Sequence, residues 1–443
     1  MENIKIGMIS LGCSKNQYDA EMMLYKIREH GWEIVSEPEE ADAVIINTCG
    51  FIESAKQEAI DTILEFCELR KEKDSKIKSI VVTGCLAERY QSELFEQIPE
   101  IDVVLGIGSN DQIIESIEKS LQGEKVQSFG EKTSLCLEGD RILIGASHFA
   151  YVKIAEGCDN KCAYCAIPEI RGKFRSRKME NIVEEVKTLA SRGVKEIDIV
   201  AQDTSKYGQD IYGKYMLPEL LKELCKVDGI EWVRVLYCYP DKITDELLEV
   251  MASEEKVVEY LDIPIQHCNK KVLSEMNRPG DRETLTALIK RIREKLPNAI
   301  LRTTLIAGFP GETEEEFTEL CEFVKEAKFE RLGCFAYSQE ENTEAGERED
   351  QIDEEIRERR AELIMEVQMD IAFEFAQKQI GKTLKVMVED RGSEGYYGRS
   401  YMDAPDIDTR VYFKSTNTYN PGDFVNIKIT DTFEYDLIGT VAE

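Results

Sequence analysis

The sequence predicts an α/β protein of three domains, and three observations support this. Its 443 residues exceed the usual size of one domain. Two long stretches alternate strand and helix patterns, and the last 60 or so residues contain short β-prone segments separated by turn residues. We expect an N-terminal α/β domain with a parallel sheet (1–128), a partial (β/α)6 barrel (144–375) and a small antiparallel β-barrel (377–443).

The first stretch runs from residue 4 to residue 121. Apolar segments ending at Leu11 and reading AVIINT, SIVVTG and DVVLGI alternate with helical patterns near Tyr18 to His30 and from Ala55. Strands that alternate with helices predict a mostly parallel sheet.

The second stretch repeats this alternation six times. The predicted strands read YVKIAE, EIDIVA, WVRVLY, YLDIPI, AILRTTLIA and RLGCFAY. A closed (β/α) barrel needs eight units, so we expect an open, partial barrel. An amphipathic helix over Ile356 to Phe375 follows, and TLKVMVED, YYGRSY, TRVYFK and FVNIKITD predict the final β-barrel.

Charge and cysteine content restrict the class of function. With 56 basic and 87 acidic residues the net charge is −31, which disfavours general nucleic-acid binding and favours a basic partner, although an ordinary acidic surface would look the same. No signal peptide or apolar run of about 18 residues is present. We therefore expect a cytoplasmic protein without a membrane partner, whose 13 cysteines form no disulfide framework.

One group of cysteines follows the first strand of the second stretch. Cys158, Cys162 and Cys165 form C-x3-C-x2-C in EGCDNKCAYCAIP. Three thiolates on one loop can hold an iron-sulfur cluster and leave one iron open to a small molecule. The alternative is a zinc site, but a closed zinc site takes four ligands, and no fourth Cys or His is close in sequence.

A second group has regular spacing. Cys13, Cys49 and Cys85 are separated by 36 and 36 residues, about one strand-helix unit each. Each follows a predicted strand, at the sheet edge where open α/β sheets bind ligands. Three thiolates there could hold a second cluster; taken singly, each cysteine could equally be a buried structural thiol.

The motifs as a whole resemble a known family. C-x3-C-x2-C is similar to the signature of radical S-adenosylmethionine (SAM) enzymes, and the whole chain resembles the methylthiotransferases in SLGCSKNQYDAE, NTCGFI, GCLAERY, GCDNKCAYCAIPEIRGKFRSR and GFPGETEEEF. The resemblance implies a radical SAM core, a C-terminal TRAM barrel that recognises the substrate, and SAM as co-substrate. It also implies two 4Fe-4S clusters, with Cys158, Cys162 and Cys165 on the SAM-binding cluster and Cys13, Cys49 and Cys85 on the auxiliary one. These six cysteines are the expected catalytic residues.

The family has two principal branches, which modify either C2 of adenosines in tRNA or the β-carbon of an aspartate in the twelfth protein of the small ribosomal subunit. AQDTSKYGQD, YLDIPIQH and GRSYMDAPDID resemble the ribosomal-protein branch. Residues 381–443 carry seven basic and eleven acidic residues, a poor surface for tRNA. We expect the ribosomal-protein activity, with the tRNA activity as the alternative and a non-catalytic metal-stapled binding protein as a less favoured one.

The implied partners are the basic ribosomal protein, bound through the C-terminal barrel, a low-potential electron donor and a sulfur donor. Free RNA binding is not expected.

Further site residues follow from position and resemblance. Candidate cofactor-binding residues are Tyr164, Gln202, Arg302, Gly308 and Gly311. Candidate substrate contacts are Asp203 and His267, for which a structural role is the alternative. The glycines could instead form a simple turn, after which Thr313 and Glu316 predict a helix capping box.

Overall fold

A computed structural model describes residues 4–442, so that Met1–Asn3 and Glu443, at the ends of the predicted domains, lie outside the described residues. The chain forms two compact units. The first unit comprises residues 1–144, 155–177 and 340–343. The second comprises residues 145–154, 178–339 and 344–443.

The first unit contains a six-stranded parallel sheet in the order β2-β1-β3-β4-β5-β6. Its strands are β1 (Lys5–Ser10), β2 (Glu33–Val35), β3 (Ala43–Thr48), β4 (Ser79–Gly84), β5 (Val103–Leu105) and β6 (Val126–Ser128). Its helices are α1 (Ser14–Glu29), α2 (Glu53–Lys71), α3 (Cys85–Tyr90), α4 (Glu93–Gln97) and α5 (Ile113–Leu121). Short 3-10 turns lie at Pro38–Glu40, Ile107–Gln112 and Lys132–Ser134. The predicted parallel α/β domain is confirmed.

Burial explains why these strands read as apolar runs. Every residue of β3 and β4 is buried. Ile46 and Val82 belong to an apolar cluster with Ile63 on one face of the sheet. Ile45 and Val81 belong to a separate cluster with Ile27 on the other face. A parallel sheet covered on both faces requires apolar residues on both sides of each strand.

The chain then forms strand β7 (Phe149–Lys153), which belongs to the second unit, and returns to the first unit at residue 155. Residues 155–177 contain the short strand β8 (Ala155–Glu156), helix α6 (Ile167–Arg171) and the short strand β9 (Arg175–Ser176). β8 and β9 pair in antiparallel fashion and close a loop that carries the C-x3-C-x2-C motif.

The second unit contains another six-stranded parallel sheet, in the order β14-β13-β12-β11-β10-β7. Besides β7, its strands are β10 (Glu196–Val200), β11 (Trp232–Val235), β12 (Val257–Asp262), β13 (Ile300–Ala307) and β14 (Arg331–Ala336). The helices are α7 (Met179–Ser191), α8 (Gln209–Tyr212), α9 (Leu217–Cys225), α10 (Asp245–Ser253), α11 (Lys270–Glu275), α12 (Arg282–Lys295) and α13 (Glu314–Ala327). 3-10 turns lie at Thr204–Lys206 and Pro240–Lys242. The sheet has two free edges, which confirms the predicted open, partial barrel.

Helix α14 (Glu354–Gln377) confirms the predicted long helix and leads into the C-terminal barrel. Of the predicted apolar stripe it buries Ile364 and Ile371, whereas Ile356 is exposed. No helix within residues 4–442 is long and apolar enough to cross a membrane.

The C-terminal barrel is closed and has five strands in the order β15-β16-β17-β19-β18. They are β15 (Thr383–Gly392), β16 (Gly395–Ser400), β17 (Val411–Lys414), β18 (Phe424–Phe433) and β19 (Asp436–Val441). The predicted small antiparallel barrel is confirmed, with one exception: β17 and β19 pair in parallel. A closed ring with an odd number of strands cannot alternate direction throughout, so one parallel pair is unavoidable.

A buried charge network lies where this barrel packs against the second sheet. Arg399 donates to Glu196 at 2.8 Å, and Arg234 donates to the other oxygen of Glu196, also at 2.8 Å. Asp198 lies 3.4 Å from Arg234, and its burial, followed by the charge of Glu196, raises its pKa well above the usual range. Apolar side chains of the second sheet and of the barrel, among them Phe149 and Val386, belong to one core cluster.

Replacing Arg399 with Ala should lower the free energy of unfolding by about 3–5 kcal/mol, because the Glu196 carboxylate would remain buried with one cation fewer. The measurement is urea denaturation of the full chain. The control is Lys414→Ala, which removes a cation 3.6 Å from Glu394 in an exposed pair and should change stability by less than about 1 kcal/mol. Equal effects of the two changes would contradict the importance of the network.

Candidate functional site

Cys13, Cys49 and Cys85 lie at the ends of three neighbouring strands of the first sheet. Cys13 follows β1 and precedes α1, Cys49 follows β3, and Cys85 follows β4 and begins α3. Because β1, β3 and β4 are adjacent and parallel, their carboxyl ends share one edge of the sheet. The structure therefore brings three predicted ligands, far apart in sequence, to the same edge.

The three thiols influence one another electrostatically. Burial raises the pKa of Cys85 to about 12, and the charges of Cys13 and Cys49 act in the same direction. Burial also raises the pKa of Cys49. Cys13 is exposed, and its pKa is lowered because the charges of Lys15 and Arg171 and nearby backbone N–H groups outweigh desolvation.

A buried arginine, Arg171 at the end of α6, contacts this group. Its guanidinium donates to the sulfur of Cys85 at 3.2 Å and to a carboxylate oxygen of Asp19 at 2.5 Å. It also donates to Glu156 and to the side-chain oxygen of Asn16, each at 3.4 Å. Burial alone would lower the pKa of Arg171, but Cys85, Glu156 and Asp19 raise it. The guanidinium is therefore a permanent positive charge beside the thiols.

The loop with Cys158, Cys162 and Cys165 is closed by its own backbone. The N–H of Cys158 donates to the carbonyl of Gly172, and that of Cys165 donates to the carbonyl of Cys162. Gly157 has a φ of +79°, and a Cβ there would collide with the carbonyl oxygens of Gly172 and Lys173. Only glycine fits this close approach, which holds the loop ends together. All three cysteines, and Tyr164 between them, are partly exposed.

Packing connects the two cysteine segments within the first unit. Cys85 forms a small buried cluster with Ala166 and Ile170, which lie one and five residues after Cys165 along the chain. Within residues 4–442, no group of three or more His, Cys, Asp or Glu side chains is arranged to hold a metal ion.

Two predicted site residues follow strand β10 of the second unit. Gln202 is partly buried, whereas Asp203 is fully buried. The Asp203 carboxylate accepts hydrogen bonds from Ser205 at 2.7 Å and from Lys242 at 2.6 Å. These contacts fix the loop after β10.

His267 lies in a buried polar cluster with Glu312. Its Nδ1 accepts a hydrogen bond from the N–H of Asn269, and its Nε2 is 3.6 Å from Glu312. Burial, followed by the charge of Arg360, lowers the pKa of His267 to about 3, so this imidazole is neutral. Burial raises the pKa of Glu312 to about 7, against the effect of Arg360, which donates to it at 2.9 Å.

Glu312 closes the turn that contains Gly308 and Gly311. It accepts the N–H of Gly308 at 2.9 Å. Both glycines have a φ of +75°, and the predicted capping box of Thr313 and Glu316 begins α13 directly afterwards. The turn and the capping box are therefore both present.

Arg302 on β13 is engaged by carboxylates of the protein. It donates to Asp262 at 3.2 Å and lies 3.9 Å from Asp408. Burial alone would lower the pKa of Arg302, but the charges of Asp262, Tyr260 and Asp408 raise it.

Sequence reasoning missed two residues that organise these sites, Arg171 and Glu312. Arg171 lies inside the quoted motif GCDNKCAYCAIPEIRGKFRSR, six residues after Cys165, and Glu312 directly follows the glycine turn GFPG. The signal available in the sequence was a charged residue close to a predicted ligand or to the glycine turn.

Three family models match successive parts of the chain. They are the uncharacterized protein family UPF0004 at residues 5–106, the radical SAM superfamily at residues 152–324 and the TRAM domain at residues 380–442.

Full-length relatives are more specific. The chain is 51% identical to the ribosomal protein uS12 methylthiotransferase RimO of Clostridium botulinum (strain Hall), over 100% of this chain and 99% of the relative. The chain belongs to the RimO family of ribosomal protein uS12 methylthiotransferases. RimO proteins of Clostridium tetani and of a Thermoanaerobacter species are 50% and 48% identical, over 100% and 98% of this chain and 99% of each relative. Membership makes the chain an enzyme of the radical SAM class.

Solved structures support the fold. The radical SAM methyltransferase TsrM of Kitasatospora setae aligns with a TM-score of 0.58 at 13% identity, over 78% of this chain and 77% of TsrM. The cobalamin-dependent SAM radical enzyme OxsB aligns with a TM-score of 0.52 at 14% identity, over 82% of this chain and 56% of OxsB. At such low identity these likenesses concern the fold alone.

Replacing Arg171 with Gln should lower the free energy of unfolding by about 3–5 kcal/mol, because it removes the buried cation that compensates Asp19 and Glu156. Urea denaturation of the full chain measures the change.

The matched control is Arg175→Gln in the same loop, since Arg175 is partly exposed and donates to the backbone carbonyls of Lys132 and Lys173. It should cost less than about 2 kcal/mol. Indistinguishable losses for the two variants would show that the charge of Arg171 has no special role.

Proposed function

We propose that this protein transfers a methylthio group to the β-carbon of an aspartate in ribosomal protein uS12. The observation that carries the proposal is the presence of two groups of three cysteines in a chain about 50% identical to RimO proteins over its full length. The target C–H bond is unactivated, so acids and bases cannot readily break it. When bound, two 4Fe-4S clusters and SAM would supply the one-electron chemistry and the sulfur for this reaction.

Cys13, Cys49 and Cys85 would hold the auxiliary cluster. Thiolates are the ligands that iron-sulfur clusters require, and each cysteine follows one of three adjacent strand ends. A cluster distributes its ligands over several irons, so these thiols need not converge as they would on a single ion. The charge of Arg171 favours loss of the thiol protons that cluster binding demands.

Cys158, Cys162 and Cys165 would hold the cluster that binds SAM. Three ligands on one short loop leave one coordination position for the co-substrate. Tyr164, Gln202, Arg302, Gly308 and Gly311 remain our candidates for contacts with SAM, and Asp203 and His267 for contacts with the substrate side. The hydrogen bonds that fix the loop ends would keep the three thiolates in place during turnover.

Charge supports the ribosomal-protein substrate over tRNA. The C-terminal barrel segment 381–443 carries seven basic and eleven acidic residues. Neutralising RNA phosphates requires an excess of Lys and Arg, whereas an acidic surface attracts a basic ribosomal protein. We infer that the barrel contacts uS12 and that free RNA is not a substrate. A ribosomal substrate also implies action in the cytoplasm.

The reaction needs two further partners. The SAM-binding cluster requires a low-potential electron donor, and each turnover consumes sulfur that a donor must replace.

Replacing Cys158 with Ala should abolish SAM cleavage, because the SAM-binding cluster loses a ligand. Cys49→Ala should spare SAM cleavage and stop methylthio transfer. Wild-type protein should contain about eight irons per chain and each variant about four. Iron and sulfide analysis, with chromatography of the SAM products, measures both effects. If both variants cleave SAM and still transfer sulfur, the division between two clusters is wrong.

Reconstituted protein incubated with uS12, SAM and a reductant should give a methylthiolated aspartate, detected by peptide mass analysis. The parallel reaction uses adenosine-modified tRNA. Modification of tRNA with uS12 unchanged would reverse the assignment. Inactive protein that holds four irons or fewer per chain, or zinc instead, would favour the metal-stapled binding protein.

A further inference from the structure

An exposed apolar groove lies in the second unit between α14, the edge strand β14 and the C-terminal barrel. Its volume is about 340 Å³. Its apolar lining, which defines the α14 groove, consists of Leu332, Met365, Met369, Ala372, Ile407 and Tyr435. We propose that the α14 groove is the docking site for a basic polypeptide segment of uS12, an inference that rests on the proposed function.

Exposed apolar side chains form a stripe along α14. Met365 and Met369 lie one helical turn apart on α14 and are 37% and 54% exposed, and Phe373 continues the stripe at 52%. The residues that α14 buries are others, notably Ile364, Gln368 and Ile371. Contiguous exposed apolar surface marks interaction sites, and methionine suits them because its flexible side chain adapts to a partner.

The two barrel segments that border the groove also present apolar side chains. Ile407 is 49% exposed in the loop before β17. Phe433 and Tyr435 lie at the turn between β18 and β19, where Phe433 is 64% exposed. Glu434 at this turn has a φ of +54°, which is typical of a tight hairpin.

Fixed contacts hold the walls of the groove together. Arg331 on β14 donates to Asp403 at 2.6 Å and to Thr409 at 2.9 Å, so the Ile407 loop is anchored to the strand. Gln377 at the end of α14 donates to Thr432 at 2.6 Å next to the hairpin turn. A groove preformed in this way loses little conformational entropy when a partner binds.

The charge of the groove selects the partner. Four carboxylates line it, those of Glu330, Asp408, Glu434 and Asp436, against two guanidinium groups. Both guanidiniums form ion pairs, Arg302 with Asp262 and Arg331 with Asp403, and each also lies 3.9 Å from Asp408. Glu330 lies 3.1 Å from Arg293. The acidic character of the groove therefore comes chiefly from Glu434 and Asp436 at the hairpin turn. An acidic groove with an apolar floor fits a peptide in which an apolar side chain is flanked by Lys or Arg. It repels the phosphates of RNA.

The test is binding of purified uS12 to the reconstituted full chain carrying Met369→Lys, which places a repelling charge on the apolar floor. The dissociation constant should rise about tenfold or more, as expected for a central contact. The matched control is Ile356→Lys, which introduces the same charge at a 44% exposed position on the same helix, outside the groove lining. It should change the dissociation constant less than about twofold.

A second variant, Tyr435→Ala at the hairpin turn, tests the barrel side of the groove and should also weaken binding. Thermal melting and iron content establish that each variant is folded and loaded. If wild-type protein methylthiolates uS12 while Met369→Lys and Tyr435→Ala bind it with unchanged affinity, the docking inference is overturned. The same holds if these variants lose binding to a ribosomal RNA fragment but not to uS12. If wild-type protein leaves uS12 unmodified, the proposed function fails independently of the groove.

Discussion

The hydrogen bond from Arg171 to the sulfur of Cys85 is the contact around which the first unit is organised. The guanidinium of Arg171 is buried, so it requires anionic neighbours. Asp19 and Glu156, from two different parts of the chain, are these neighbours. The same cation lies beside thiols that must lose protons to bind iron. One residue therefore links the loop after β8, helix α1 and the strand-end cysteines, and it gives them a common electrostatic environment.

The second unit uses buried charge in a different way. Glu196 binds Arg234 and Arg399 where the C-terminal barrel packs on the sheet, with Asp198 beside them. Such a network adds little stability over apolar packing, but it penalises any other placement of the barrel strongly. We interpret it as a device that fixes the register between barrel and sheet. The α14 groove depends on that register because residues of both line it.

Much of the fold and of the cysteine sites could be predicted from the sequence, for physical reasons. Strands such as β3 are buried on both faces and so appear as uninterrupted apolar runs. The loop cysteines are recognisable because their spacing lies within one short segment. Arg171 was not recognised, because its partner Asp19 is 152 residues away and such pairing leaves no periodic pattern. Strand β19 was also missed, and with it the parallel pair, because the pairing of β19 with β17 joins segments that are not consecutive along the chain.

Glu340 belongs to the short segment 340–343, which is part of the first unit although it is distant from the N-terminal sheet in sequence. It is 3% exposed and lies between Lys56 and Arg89, at 3.2 and 2.7 Å, within the first unit. Fragments truncated at the end of the N-terminal sheet would thus lack both Glu340 and Arg171, leaving cations and carboxylates buried without compensation. Dissection of this protein by expressing its sequence-defined segments separately is accordingly unsuitable, and cluster assembly has to be studied on the intact polypeptide.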